Sequence, residues 1–172
     1  MAYLRDLERR AAASGKPADI PVDFLADYWA RPEADTEHLV VHRDADGMIL
    51  LNRYPYAGGH LLVALGDGRR ALLDYPRPAR RALWDLVELA TDLMHRAINP
   101  QGINTGINEG RAAGAGLPGH LHVHLVPRWT ADTNFITVTG GVRVVPESLE
   151  RMHETYVATL PSVLADRDEP SA

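Results

Sequence analysis

Eight consecutive residues, Gly119-His120-Leu121-His122-Val123-His124-Leu125-Val126, set three imidazoles in strict alternation with aliphatic side chains. Side chains along a strand alternate between its faces, so the row reads as a β-strand. His120, His122 and His124 then share one face, and Leu121, Val123 and Leu125 share the other. The aliphatic set fixes the register, because a slip of one residue would bury the imidazoles and expose the aliphatics. Imidazoles are costly to bury without partners. A lone histidine is most often a satisfied core or surface residue; three at period two mark a site.

The rest of the chain supplies a sheet for that strand. Leu39–His42 and Met48–Leu51 flank Asp46-Gly47 and predict a hairpin. His60–Leu65 predicts a third, largely buried strand, and a fourth is expected near 102–108. The histidine row, 120–126, is the fifth strand. Leu83, Leu86, Val87, Ala90, Leu93, Met94 and Ala97 recur at spacings of three and four, predicting an amphipathic helix over 78–98. Further readings are a short polar helix over 1–13, a hairpin of 135–138 with 142–145, and a last helix from Pro146 to about 160. The expected fold is a single α+β domain over 1–172, an antiparallel sheet of about five strands with two main helices. Residues 1–37 form an N-terminal arm, with about one helical turn in 15–37, and 38–138 the motif-bearing core. Residues 139–165 hold the C-terminal hairpin strand and helix, and 166–172 a frayed tail.

Composition narrows the chemistry. There is no cysteine, so disulfides, thiolate nucleophiles and thiolate zinc sites are excluded. Lys+Arg total 18 against 23 Asp+Glu, the wrong balance for a broad nucleic-acid footprint. No apolar run approaches the roughly 18–20 residues of a membrane span. The charged start lacks the apolar core of a secretory signal, and the expected location is cytoplasmic.

Two chemistries fit the histidine row: a metal site, since His-x-His on a strand can supply two zinc ligands, and nucleophilic catalysis by one imidazole tuned by its neighbours. The stretch Asn108–Gly119 favours the second, because its glycines permit the positive φ values of an anion-binding nest. Such a loop could cradle phosphate oxygens while a histidine attacks phosphorus.

These residues carry a family resemblance. His120-x-His122-x-His124 followed by two apolar residues resembles the motif of the histidine-triad (HIT) superfamily. Asn52…Pro55…Gly59-His60-Leu61-Leu62-Val63 and Asn108-x-Gly110…Ala113-Gly114 resemble that family's earlier motifs, in order, over roughly 38–138. The resemblance implies a dimerising α+β fold with a nucleotide in a groove. It implies that His122 attacks the α-phosphate of a nucleotide ester or anhydride, and that a second nucleophile then removes the nucleotide. His120 and His124 would stabilise phosphate oxygens or help the leaving group, with His60 in support. Asn52 matches a ribose-holding position and Asn108 one near the scissile phosphate. Many relatives carry glutamine four residues before the first triad histidine, where this chain has Gly116.

Asn52-Arg53-Tyr54-Pro55-Tyr56, and His124–Trp129 followed by Asp132–Phe135, resemble the bacterial diadenosine tetraphosphate phosphorylase branch. That branch uses inorganic phosphate as co-substrate and yields ADP and ATP. Gly114 and Gly116 are the candidate phosphate cradle, with Arg128 and Trp129 as further phosphate or base contacts; surface and packing roles fit Arg128 and Trp129 equally. Relatives often carry a zinc-binding Cys-x-x-Cys near the N-terminus; the matching stretch, 19–24, reads Asp-Ile-Pro-Val-Asp-Phe. No protein-bound metal or cofactor is therefore expected, although a divalent cation can join by binding the substrate's polyphosphate. The expected partners are a small nucleotide, inorganic phosphate and a second copy of the chain, without nucleic acid or membrane. The rival functions are a hydrolase of dinucleoside polyphosphates or nucleoside phosphoramidates, a nucleotide-binding module, and a histidine metal site.

Overall fold

A computed structural model describes residues 23–132 and 147–168, the side chain of Asp168 excepted. The expected N-terminal helix over 1–13 and the hairpin over 135–145 lie outside the described residues. Five strands, β1 (Val40–Arg43), β2 (Gly47–Leu51), β3 (Leu61–Leu65), β4 (Gly102–Ile107) and β5 (His122–Arg128), form one sheet in the order β1-β2-β3-β5-β4. Every pairing is antiparallel. The helices are α1 (Phe24–Ala30), α2 (Asp35–His38), α3 (Arg77–Ile98) and α4 (Leu149–Asp168).

The β1–β2 turn is made by the Asp44 carboxylate, which accepts from the backbone N–H of Asp46 and Gly47 at 2.8 and 2.9 Å. Gly47 opens β2 because the strands close there: a Cβ would lie 2.4 Å from the Ala64 carbonyl oxygen. Helix α3 follows its apolar period. It starts with Pro78 in the first turn, where the missing N–H costs nothing, and stops at Asn99 in a left-handed conformation.

The sheet is covered on both faces. Ile49, Leu51, Leu61, Val63, Leu65, Val123 and Leu125 pack with the buried side of α3 and with Met152, Tyr156 and Val163 of α4. Fully burying side chains such as Leu93 and Met94 contributes about 1.5–3 kcal/mol each. On the other face, Val40, Met48, Leu50, Leu62 and Ala64 pack with Leu25 of α1 and Leu117, flanked by Phe24, Tyr28 and Trp29. Arg43 ties α1 to β1 by donating to the Tyr28 and Trp29 carbonyls at 3.0 and 3.1 Å and pairing with Asp35.

Several expectations need correction. The arm has more than one helical turn, since α1, a 3-10 turn at Pro32–Ala34 and α2 follow one another. The last helix runs to Asp168, past the expected end near 160 and through Pro161. Asp166, placed in the expected frayed tail, lies in this helix and pairs with Arg96 of α3 at 2.5 Å, and 169–172 lie outside the described residues. The fifth strand starts at His122, not His120. The His120 N–H closes a turn on the Leu117 carbonyl at 3.3 Å, and the Leu121 N–H goes to the Arg69 carbonyl at 2.7 Å.

Candidate active site

β5 runs antiparallel to β3, with His122 opposite Ala64 and His124 opposite Leu62. The histidine face is therefore the face covered by α1 and the 110–119 loop. His60 and His120 are fully buried and His122 is 8% exposed. The sequence reading treated burial of this face as the outcome the register avoids. The structure accepts it by giving each ring partners.

Those partners fix the tautomers. The Tyr56 backbone N–H donates to His60 Nδ1 at 3.1 Å, so the proton of that ring sits on Nε2. His60 Nε2–H then donates to His124 Nδ1 at 3.0 Å, which leaves His124 with its proton on Nε2. Burial, with a smaller contribution from His122, pushes His124 down to about 4, so the ring is a neutral donor near pH 7. The Asn108 side-chain amide lies 3.3 Å from that nitrogen. Tyr56 also stacks on His124, with centroids 5.7 Å apart.

His122 is held differently. Its Nδ1–H donates to the His120 carbonyl at 2.9 Å, which leaves the lone pair on Nε2. Burial lowers its pKa, which keeps that lone pair free of a proton. The His122 and His124 rings meet edge-on at 4.9 Å between centroids. An unprotonated nitrogen beside a fixed N–H donor suits attack on an electrophile that carries anionic oxygens.

His120 turns away from the other two. Its Nε2–H donates to the Leu65 carbonyl at 2.8 Å, and its Nδ1 lies 3.0 and 3.1 Å from the two carboxylate oxygens of Asp23. Neither Asp23 nor Tyr56 was singled out from the sequence. Tyr56 had a signal in the Tyr-Pro-Tyr loop next to Asn52, and Asp23 had one in lying within 19–24, the stretch that matches the relatives' zinc motif, although His120 is 97 residues away.

The other candidates fall in place as follows. Asn52 braces the loop, accepting from Tyr54 N–H at 2.9 Å and donating to His60 Nδ1 at 3.3 Å. Gly110 and Gly114 have positive φ, +79° and +89°. The N–H groups of Ala113, Gly114 and Ala115 are already used within the turn and are not open to an anion. Arg128 pairs in a two-pronged bridge with Asp132, both bonds 2.6 Å, and Trp129 N–H joins the same carboxylate at 3.2 Å. Among the described residues no cluster of three or more His, Asp or Glu could hold a metal ion. The donor set does not fit the expected relatives' zinc: the chain has no cysteine, and His120 is taken by Asp23 and Leu65.

A family model for the HIT domain matches residues 33–131. The chain belongs to the HIT domain family. An AP-4-A phosphorylase of Mycobacterium tuberculosis is 40% identical to it over 116 residues, which cover 67% of this chain and 60% of that protein. The chain thus spans about 60% of the length of the curated relatives it matches. Among solved structures, a zinc-bound histidine triad family protein of Mycobacterium smegmatis superposes with TM-score 0.66 at 22% identity, covering 81% of this chain and 96% of its own. A hypothetical histidine triad nucleotide-binding protein of Sulfolobus tokodaii gives 0.65 at 24%, with 80% and 93% covered. A diadenosine triphosphate hydrolase of Plasmodium falciparum gives 0.55 at 18%, with 75% and 78% covered. These likenesses establish the HIT fold, and no helix of the described residues is long and apolar enough to cross a membrane.

Proposed function

We propose that this HIT protein moves a nucleotidyl group through a covalent intermediate on His122, and that its reaction is phosphorolysis of diadenosine tetraphosphate to ADP and ATP. The observation that carries the reading is the bond from His122 Nδ1–H to the His120 carbonyl, which presents Nε2 as a lone pair. The phosphorylase name of the 40%-identical relative supports the substrate class.

His122 Nε2 attacks the α-phosphorus, a P–N bond forms, and the P–O bond to the leaving ATP breaks. His124 Nε2–H donates to an oxygen of the transferring group as charge builds on it. An oxygen of inorganic phosphate then attacks the same phosphorus and breaks the P–N bond, which releases ADP and restores the His122 lone pair. Water in place of phosphate would give AMP. Asn52 toward the ribose, Asn108 toward the scissile phosphate, and Arg128 and Trp129 at the rim belong to the same reading. A homodimer belongs to it too, resting on family membership alone.

The test is a product assay on diadenosine tetraphosphate with and without phosphate. ADP plus ATP at saturating phosphate is the expected result. AMP plus ATP alone would replace the phosphorylase by a hydrolase, and binding without turnover would leave a nucleotide-binding module. Water is abundant at roughly 55 M, so phosphate wins only in a site that orients it; oriented groups reach effective molarities of about 10⁵–10⁸ M. In this reading Gly116, half-buried between buried Ala115 and Leu117 and without a side chain, is the position where that acceptor would sit. Gly116→Gln is therefore expected to lower the ratio of ADP to AMP at fixed phosphate, and an unchanged ratio removes Gly116 from acceptor choice.

The reaction in this reading needs no protein-bound metal. Activity after exhaustive chelation is expected to equal that of untreated protein. Loss restored by zinc would contradict this, whereas restoration by magnesium is ascribed to the polyphosphate.

A further inference from the structure

Asp23 stands ten residues before the HIT-matching segment and meets the ring of His120. We infer that Asp23 is a positioning residue for His122 and acts through His120. The inference rests on His122 being the nucleophile.

The carbonyl that holds His122 Nδ1–H belongs to a residue outside the sheet ladder, since β5 begins only at His122. Its peptide plane is held on one side by the Leu121 N–H on the Arg69 carbonyl at 2.7 Å, and the clamp on the His120 ring holds the residue from the side-chain end. The Leu65 carbonyl at the end of β3 lies 2.8 Å from Nε2, and the Asp23 carboxylate oxygens lie 3.0 and 3.1 Å from Nδ1. Gly68 closes against the ring: a Cβ on it would lie 2.6 Å from His120 Nδ1. The carboxylate is itself fixed, because Asp23 Oδ1 caps α1 by accepting from Ala26 N–H at 3.0 Å. Helix α1 is seated on the same segment, with Trp29 so close to Gly66 that a Cβ there would lie 2.1 Å from its ring. Releasing the carboxylate leaves the ring held by one bond, and small displacements of a nucleophile cost rate steeply.

Three variants separate the clamp from the cap. Asp23→Ser keeps a side chain that caps α1 but is too short to reach His120. Asp23→Asn keeps both the cap and an acceptor oxygen. Gly68→Ala pushes on the ring at Nδ1 while leaving the Asp23 side chain in the sequence. Each is compared with the native chain by thermal melting, by steady-state and single-turnover assays on diadenosine tetraphosphate, and by ¹⁵N spectra of the histidine ring nitrogens.

Asp23→Ser and Gly68→Ala are expected to lower kcat by about ten- to a hundredfold with KM nearly unchanged. Both should perturb the His122 Nδ1–H signal, and Asp23→Asn should recover most of kcat. Native kcat in Asp23→Ser would overturn the inference. So would Asp23→Asn no better than Asp23→Ser, or a His122 Nδ1–H signal unmoved in both damaged variants. A variant that does not fold is replaced by the other. If the native chain forms no adduct on His122, the functional reading fails by itself, and the ring-nitrogen spectra still decide whether Asp23 sets the His122 tautomer.

Discussion

His122→Ala is expected to fold as the native chain does and to lose turnover by on the order of a thousandfold or more, as removal of a covalent nucleophile does. The fold should survive because the ring contributes one hydrogen bond, to the His120 carbonyl, worth about 1 kcal/mol. The aliphatic side of β5, Val123 and Leu125, is untouched. The rate should not survive, because neither neighbouring imidazole can replace Nε2 of His122. His124 presents a hydrogen there, and both nitrogens of His120 are engaged. Quenched reactions analysed by mass should show a nucleotidyl adduct on the native chain and none on the variant. Turnover close to native in His122→Ala would end the covalent reading.

Stability is expected to fall as the pH drops from about 6.5 toward 4. Burial lowers the pKa values of His38, His42, His122 and His124 in the folded protein. Between the folded and unfolded values the unfolded chain binds more protons, so stability rises with pH across that window and levels off above it. The drop of His124 from 6.5 to about 4 is by itself worth about 3 kcal/mol. Most carboxylates titrate below this range, so its upper half reports the histidines. Urea midpoints at pH 7.5, 6.0 and 5.0 measure the effect. Equal midpoints at pH 7.5 and 5.0 would show that the rings gain protons without cost.

The strands, the long helix and the histidine row were legible because each is written in local periodicity. Val123 and Leu125 lie on the face expected of them, and the stripe from Leu83 to Met94 is buried as its spacing requires. What was not legible depends on contacts distant in sequence. Alternation places His120 with its neighbours, but the Arg69 carbonyl takes the Leu121 N–H and ends the strand before it. Burial of the imidazole face could not be anticipated without α1, whose Leu25, Tyr28 and Trp29 were read as an arm rather than a lid on the sheet. The glycines of the 110–119 loop do adopt positive φ at Gly110 and Gly114. Composition could not show that the turn itself uses three of the N–H groups proposed for an anion.

Tyr156 of α4 is completely buried, and its hydroxyl donates to the Gly59 carbonyl at 2.8 Å, one residue before His60. Gly59 has φ +85°, and a Cβ there would press on Ile98 at 2.7 Å and on the Tyr156 hydroxyl at 3.0 Å. The start of β3, and with it the His60 ring that sets the His124 tautomer, is thus latched by a helix that begins eighteen residues after the family-matching segment ends at 131. Asp23 does the same from the other flank. A fragment cut to 33–131 would retain every histidine of the row and His60, yet lose the two side chains that aim them. For this chain the unit recognised by its motif is smaller than the unit that must be expressed, transplanted or recombined to obtain a working site.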